Sequence, residues 1–368
     1  MRPRVVPRRR TGGTGAPSIG RYCGVEARDV RLASAGTALP GEAVDNALLT
    51  KSLGMSPVFQ EWIDTFVGTR SRYLAIDLGT GDVSCSVADL GVQAAGRALD
   101  AAGIDAGAVD LVVMATSMPD RLLPTTAEEI ADRLGVGPVP VHQLQSGCTG
   151  AVQALDLAHQ ALLAGDARTA LVIGGDVCAK HVDLRLDYSR LPPAEMVNAV
   201  LFGDGAGAVV LGDGADFPDA PVLRRVLLEL TGLHRPPAQI VEWFGPADSD
   251  PATPAVWEDF KAVQESVPVI AAEILAELLR DLRWTPADID YLLPPQLSGR
   301  MTEDIVRRLG VPAAVEVSCV ADTGNTANAL PFTQLQMVLP ELVSGDRVVA
   351  ISVESSKWIR AGFVLEKP

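Results

Sequence analysis

The feature that most constrains this chain is that it echoes itself. SGCTGAVQALDLAHQALLAGDARTALVIGGD (146–176) and TGNTANALPFTQLQMVLPELVSGDRVVAISVES (323–355) follow one plan: a turn of small residues, an apolar helix, a Gly-Asp stop and a strand. Gly147-Cys148-Thr149 falls over Gly324-Asn325-Thr326, and Gly165-Asp166 over Gly345-Asp346. Upstream, AGIDAGAVDLVVMATS (102–117) is echoed by RWTPADIDYLLPPQLS (283–298). A chain of 368 residues built this way is expected to fold as two related halves meeting around residues 212–222. Such symmetry sets Cys148 and Asn325 at matching helix N-termini, and two such ends facing one cavity make a site.

Local patterns agree with an α/β chain. DLVVMATS (110–117), VPVHQLQ (139–145) and ARTALVIGGD (167–176) read as buried strands. TTAEEIADRLG (125–135) reads as an amphipathic helix, with Thr125 or Thr126 as cap, Glu128 and Glu129 at its positive end, and Gly135 as its stop. Residues 148–165 predict a mostly apolar helix closed by Gly165, and LFGDGAGAVVLGDG (201–214) predicts two strand pieces around a Gly-rich turn. Strand, helix and strand in this order indicate buried sheets. The expected organisation is a tail over 1–23, an N-terminal half over 24–214 and a C-terminal half over 215–368.

Composition excludes several function classes. With 48% apolar and 21% charged residues the chain folds, and a net charge of −15 disfavours a nucleic-acid binder. No run of eighteen apolar residues spans a bilayer. MRPRVVPRRRTGGTGAPSIG is basic but lacks the apolar stretch of a signal peptide, so it reads as a flexible tail. Five cysteines without a CxxC pair suggest the reducing cytoplasm and at most one working thiol, and four histidines match no zinc spacing, so no metal is expected. The glycine runs at 13–15 and 203–208 lack a following Lys-Ser/Thr and are assigned structural roles.

Cys148 follows a strand and opens a helix, amid the small residues Ser146, Gly147, Thr149, Gly150 and Ala151. The helix end offers free N–H groups and partial positive charge, which is expected to lower the thiol pKa and to stabilise an oxyanion. On local sequence alone, a buried structural cysteine is the competing reading.

Six ordered segments resemble the ketosynthase III (3-oxoacyl-acyl-carrier-protein synthase III) branch of the thiolase superfamily. They are EWIDTFVGTRSRYLA (61–75), TSMPDRLLPTTAEEIADRLG (116–135), SGCTGA (146–151), LFGDGAGAVVL (201–211), DIDYLLPPQ (288–296) and GNTANALP (324–331). The resemblance implies a five-layered αβαβα thiolase fold of two pseudo-symmetric halves, a homodimer, no bound cofactor, and acyl transfer through a cysteine thioester. By the same resemblance Cys148 is the nucleophile, Asn325 the catalytic asparagine, and the backbone N–H groups of Cys148 and Ser356 the oxyanion hole. It also implies that Trp62 and Arg190 bracket the pantetheine-bearing substrate and that Leu123 reaches into the partner's acyl pocket.

Three departures mark this chain off. The family's Pro-His-Gln reads Pro294-Pro295-Gln296, so Pro295 stands where the imidazole would be and has no side-chain donor. Among the four histidines, His142 is expected in the core or an interface and His159 too far along its helix, while His181 and His234 need three dimensions. The C-terminal Gly-x-Gly-x-Gly turn reads Ser352-Val353-Glu354-Ser355-Ser356. Glu354 is either a surface or salt-bridged residue or, in an apolar cavity, a general base. Phe66 replaces an arginine of the donor tunnel, which favours a carrier-protein thioester over free CoA.

The expected function is therefore a cytoplasmic acyltransferase of secondary metabolism. It moves an acyl group from a carrier-protein or CoA thioester through Cys148 to an amine, hydroxyl or thiol, without decarboxylation. The alternatives are decarboxylating condensation with a substitute histidine, and a non-catalytic partner subunit.

Overall fold

The computed structural model describes residues 28–191, 193–243 and 256–368. The segment expected as a tail, residues 1–23, lies outside the described residues. β1 (Val30–Ala38) opens the first half. The short pair β2 (Val44–Asp45) and β3 (Ser71–Arg72) follows, with helices α1 (Asn46–Ser52) and α2 (Pro57–Trp62) between its strands. Next come α3 (Val87–Ala102), β4 (Leu111–Thr116), α4 (Thr126–Leu134), β5 (Val141–Gln145), α5 (Gly150–Ala164), β6 (Thr169–Asp176), α6 (Pro193–Leu201) and β7 (Gly205–Asp213). The second half begins with β8 (Val222–Leu230) and the pair β9 (Gln239–Val241) and β10 (Val256–Glu258). It continues through α7 (Phe260–Leu282), β11 (Tyr291–Leu293), α8 (Gly299–Leu309), β12 (Val315–Glu316), α9 (Val320–Thr323), α10 (Leu330–Val338), β13 (Arg347–Glu354) and β14 (Ile359–Glu366).

The main strands run in the order β5-β4-β6-β7-β1 and then β8-β14-β13-β11-β12. In the first set β5, β4 and β6 are mutually parallel, and β7 and β1 are antiparallel to their neighbours. The second set repeats this with β12, β11 and β13 parallel and β14 and β8 antiparallel. The sequence echo is thus an echo of topology. The two sets touch at β1 and β8 through the pairing of Arg31 with Val222.

Helices α3 and α4 cover the outer face of the first sheet, and α7 and α8 that of the second. Between the sheets lie α5 and α10, packed against strands of both halves. Leu155 of α5, Phe332 and Leu335 of α10, Val172 of β6 and Phe363 of β14 share one buried cluster there. This is the five-layered αβαβα arrangement. A helix covered on both sides must be apolar all round, which is why residues 150–164 carry little polar surface.

Local chemistry sets the element ends. At α4, Thr125 and Glu128 form a reciprocal capping box, and Gly165 ends α5 with φ of 82°. One expectation changes: residues 205–213 form a single continuous strand rather than two pieces. Its glycines serve packing instead of a turn, since a Cβ at Gly207 would lie 2.6 Å from Cβ of Phe332 on α10. Among the described residues, no helix is long and apolar enough to cross a membrane.

Candidate active site

Cys148 lies in the turn between the end of β5 at Gln145 and the start of α5 at Gly150. The second half holds this turn in place. Asn328, fully buried ahead of α10, accepts from the N–H of Ala151 at 3.0 Å. Its amide donates to the Ser146 carbonyl at 3.0 Å and to Asp176 Oδ2 at 2.8 Å. Asp176, at the end of β6, also accepts from the Thr116 hydroxyl and the N–H groups of Ser117 and Met118. A buried carboxylate with so many donors is a structural brace.

Glu354, the last residue of β13, reaches under the same turn. It is 1% exposed and, among the described residues, makes no ion pair, so the surface or salt-bridged reading is overturned. Its Oε2 accepts from the Thr149 N–H at 3.3 Å and its Oε1 from the Ser356 N–H at 3.3 Å. Gly147 makes room for it: a Cβ there would sit 2.3 Å from Oε2. Burial pushes the Glu354 carboxyl above the ordinary carboxylate range.

The electrostatics of Cys148 also depart from expectation. A bare helix terminus would lower its pKa. Here burial, with Glu354, Glu258 and Asp176 adding negative charge, pushes the thiol well above its ordinary range. The helix end is not bare. Thr149 gives its N–H to Glu354, Gly150 to the Gly147 carbonyl at 2.8 Å, and Ala151 to Asn328. Little of the terminus is left to favour a thiolate, so the Cys148 side chain is held as a thiol. The Ser356 N–H, expected in the oxyanion hole, points at Glu354 in this state.

Cys148 opens onto two spaces. The larger, about 630 Å³, is lined among others by Glu354, Glu258, His181, Phe202, Trp257 and Ser356. The smaller, about 50 Å³, lies between Cys148, Asn325, Pro294, Pro295, Gln296 and Gln334. Asn325 is thus brought to the cysteine as the symmetry requires. It is 2% exposed, and its Oδ1 accepts from the Ala327 N–H at 3.0 Å. Pro295, just beyond β11, gives the cleft an apolar wall where an imidazole was to be sought. Gln296 accepts from the N–H groups of Cys319 and Val320, and its buried Nε2 has no partner among the described residues.

Of the histidines, only His181 lines the larger cavity. Its Nε2 lies 3.1 Å from Sδ of Met118, and burial together with Lys180 holds its pKa below the usual range. His142 is exposed on the edge strand β5, contrary to a core placement, His159 is buried in α5, and His234 is exposed.

Glu258 was not found by sequence reasoning. It ends β10, lines both spaces beside Cys148, and its Oε2 is buried without a partner among the described residues. Burial first, and then Glu354, raise its pKa to about 7. No motif marks it, because it precedes the α7 cap Asp259 and the pair looks like two ordinary surface acids.

Comparison with known proteins bears on this site. The family model described as 3-oxoacyl-[acyl-carrier-protein (ACP)] synthase III matches residues 143–227, and that of its C-terminal part matches residues 279–355. The beta-ketoacyl-[acyl-carrier-protein] synthase III of Neisseria meningitidis serogroup B is 31% identical over 304 residues, covering 81% of this chain and 87% of that protein. The chain belongs to the 3-oxoacyl-[acyl-carrier-protein] synthase III family. Among solved structures of thiolase-fold proteins, the Pseudomonas aeruginosa PAO1 synthase III matches at a TM-score of 0.77 and 28% identity, over 93% of this chain and 99% of that one. "AbyA1 - tetronic acid condensing enzyme" matches at a TM-score of 0.89 and 55% identity, over 92% and 99%. As a synthase III relative, this chain is an enzyme acting on acyl thioesters.

The remaining synthase III expectations fall away from the cysteine. Trp62 is half-buried and stacks on Phe59 at 5.1 Å, with the Phe66 ring 6.3 Å away. Arg190 is exposed and pairs with Asp187 at 3.0 Å. Leu123 is 81% exposed. None of these three lines the described cavities around Cys148.

Proposed function

We propose that this chain is a condensing acyltransferase that joins two acyl thioesters with loss of both thiols and no loss of CO2. The observation that carries the reading is the exchange of groups around Cys148. The cleft beside Asn325 is walled by Pro295, and two carboxyl groups, Glu354 and Glu258, enter the cavity instead. Decarboxylation leaves an enolate that needs hydrogen-bond donors, and losing one such donor typically costs about two orders of magnitude in rate. A carboxylate base serves a different task, removing a proton from an already acidic nucleophile.

The likeness to a tetronic acid condensing enzyme fits this division. A tetronic acid is a five-membered lactone sharing its ring with an enolised 1,3-dicarbonyl. It forms from a 3-oxoacyl thioester and a 2-hydroxyacyl thioester by one C–O and one C–C bond. In our reading Cys148 Sγ attacks the 3-oxoacyl thioester, while Glu354 takes the thiol proton and passes it to the departing pantetheine sulfur. The hydroxyl of the second substrate then displaces Cys148 and forms the ester. Finally the methylene carbon between the two carbonyls attacks the second thioester, forms the C–C bond and expels the second thiol. Its proton is acidic through both neighbouring carbonyls, so no CO2 need leave. Asn325 and the N–H groups of Cys148 and Ser356 receive the developing oxyanions once Glu354 shifts off Ser356.

In the same reading the donors are carrier-protein thioesters, entering past Trp62 and Arg190. The molecule is a cytoplasmic homodimer, with β5 as the joining edge and Leu123 crossing to the partner. Its catalytic cysteine belongs to a unit over 24–214 and its asparagine to one over 215–368.

Intact-mass spectrometry and product analysis test this. With 3-oxohexanoyl-carrier protein the chain gains the acyl mass, and Cys148→Ala does not. Adding glycolyl-N-acetylcysteamine yields a 3-acyltetronic acid without CO2. Release of CO2 and a longer 3-oxoacyl product from malonyl-carrier protein would overturn the reading in favour of ordinary condensation. Absence of any mass gain would favour the non-catalytic partner.

A further inference from the structure

We propose that Glu258 is the catalytic acid–base residue of the second half-reaction, moving a proton from the acceptor hydroxyl to the sulfur of Cys148. This rests on the acyl-transfer reading above and gives it the group it lacks.

Geometry separates the two carboxyl groups. Glu354 is tethered by the N–H groups of Thr149 and Ser356 and lies against Gly147, on the helix side of the cysteine. Glu258 is carried by a different element, β10, whose pairing with β9 sets it across from Gln239. Among the described residues, only Cys148, Phe202, Gln239, Glu258 and Ala327 line both the large cavity and the narrow cleft, so Glu258 stands with the sulfur where the two spaces meet. The large cavity from which a second substrate would reach a Cys148 thioester is lined by this carboxyl.

Its bonding suits exchange rather than structure. Oε2 is buried with no partner among the described residues, whereas other buried carboxylates here are held by several donors: Asp176 by Thr116, Ser117, Met118 and Asn328, and Asp204 by Ala75 and Ala179. An unpartnered buried oxygen is costly unless something fills it, and a substrate hydroxyl would do so. The titratable groups facing this space are Cys148, Cys178, His181, Tyr188 and Glu354. Lys180 donates to the carbonyls of Met118 and Pro119, so among the described residues no ammonium pins the carboxylate in its charged form. Burial and Glu354 bring its titration to about 7, where both forms are populated at working pH.

The step balances. The acceptor O–H bond breaks and its proton goes to a Glu258 oxygen. The new C–O bond forms as the C–S bond to Cys148 breaks, its electron pair staying on sulfur. Glu258 then returns the proton to that sulfur, whose raised pKa favours taking it. Both residues end as they began.

Rapid-quench mass spectrometry resolves the two halves in wild type, Glu258→Gln and Glu354→Gln, with 3-oxohexanoyl-carrier protein as donor and glycolyl-N-acetylcysteamine as acceptor. In E258Q the acyl mass still appears on Cys148, which shows that the chain is folded, while its discharge slows about 100-fold or more. Wild-type discharge rises with pH to a plateau above about 7, and E258Q loses that rise. E354Q shows the reverse split, with slowed loading. Discharge from E258Q at the wild-type rate, or an unchanged pH profile, overturns the assignment of Glu258 alone. Failure of wild type to load overturns the acyl-transfer reading, and this inference with it.

Discussion

Glu258 has a consequence for stability as well as for chemistry. Its carboxyl titrates near 7 in the folded chain and at the ordinary value of 4.5 when free of burial. Between these values the folded chain holds the extra proton, so stability falls as pH rises through that window and stays lowered above it. Glu258→Gln should therefore raise the melting temperature at pH 8, by up to about 3 kcal/mol of stability, and the gain should shrink towards nothing near pH 4. A gain independent of pH, read by calorimetry at both ends, would show that the carboxyl is not held neutral. At this scale the sequence was legible where residue type carries the chemistry. That Cys148, Asn325 and Pro295 would meet around one cleft could be read. Glu258 could not, because nothing along the chain signals that β9 and β10 fold over the cysteine. The ionisation of Cys148 was misjudged for a related reason: the helix N–H groups are taken up by Glu354 and Asn328, and both partners lie far along the sequence.

The start of α5 is an element assembled by two halves of the chain. Asn328 ties Ser146, Ala151 and Asp176 together from the segment preceding α10, and Gly174 on β6 lets that segment approach, since a Cβ there would lie 2.3 Å from the Asn328 carbonyl oxygen. Asn328→Ala removes three side-chain hydrogen bonds and leaves buried groups unsatisfied. The expected cost is about 2–4 kcal/mol, read as a lower denaturant midpoint, together with slower loading of Cys148 as its turn loosens. An unchanged midpoint would mean that Asn328 is dispensable to the turn. The regular elements were the easiest part to read: β4, β5, β6, α4 and α5 stand within about two residues of their expected ends, because period and caps are local signals. Residues 201–214 were misread because glycine was taken for a turn former. Its function there is close packing against α10, and that depends on a helix more than a hundred residues away.

At the scale of the molecule, the two halves share their central layer, with α5 and α10 each touching both sheets. Neither half can keep that layer covered without the other. Thermal or denaturant unfolding should therefore be one transition, with tryptophan fluorescence and far-ultraviolet circular dichroism coinciding. Trp62 reports on the first half and Trp243, Trp257, Trp284 and Trp358 on the second, so separate midpoints for quenching of Trp62 and of the rest would show the halves melting apart. The repeat made this architecture legible before any coordinates, because a duplicated strand–helix order imposes a duplicated strand arrangement. What the repeat could not convey lies outside it. Glu258 rides on the excursion between β8 and α7, clear of the ten strands that form the two matching sets of five. The repeating frame carries Cys148, Asn325 and Glu354 with it, whereas Glu258 is encoded in a separate stretch, so ancestry could rewrite that one carboxyl while inheriting the frame untouched.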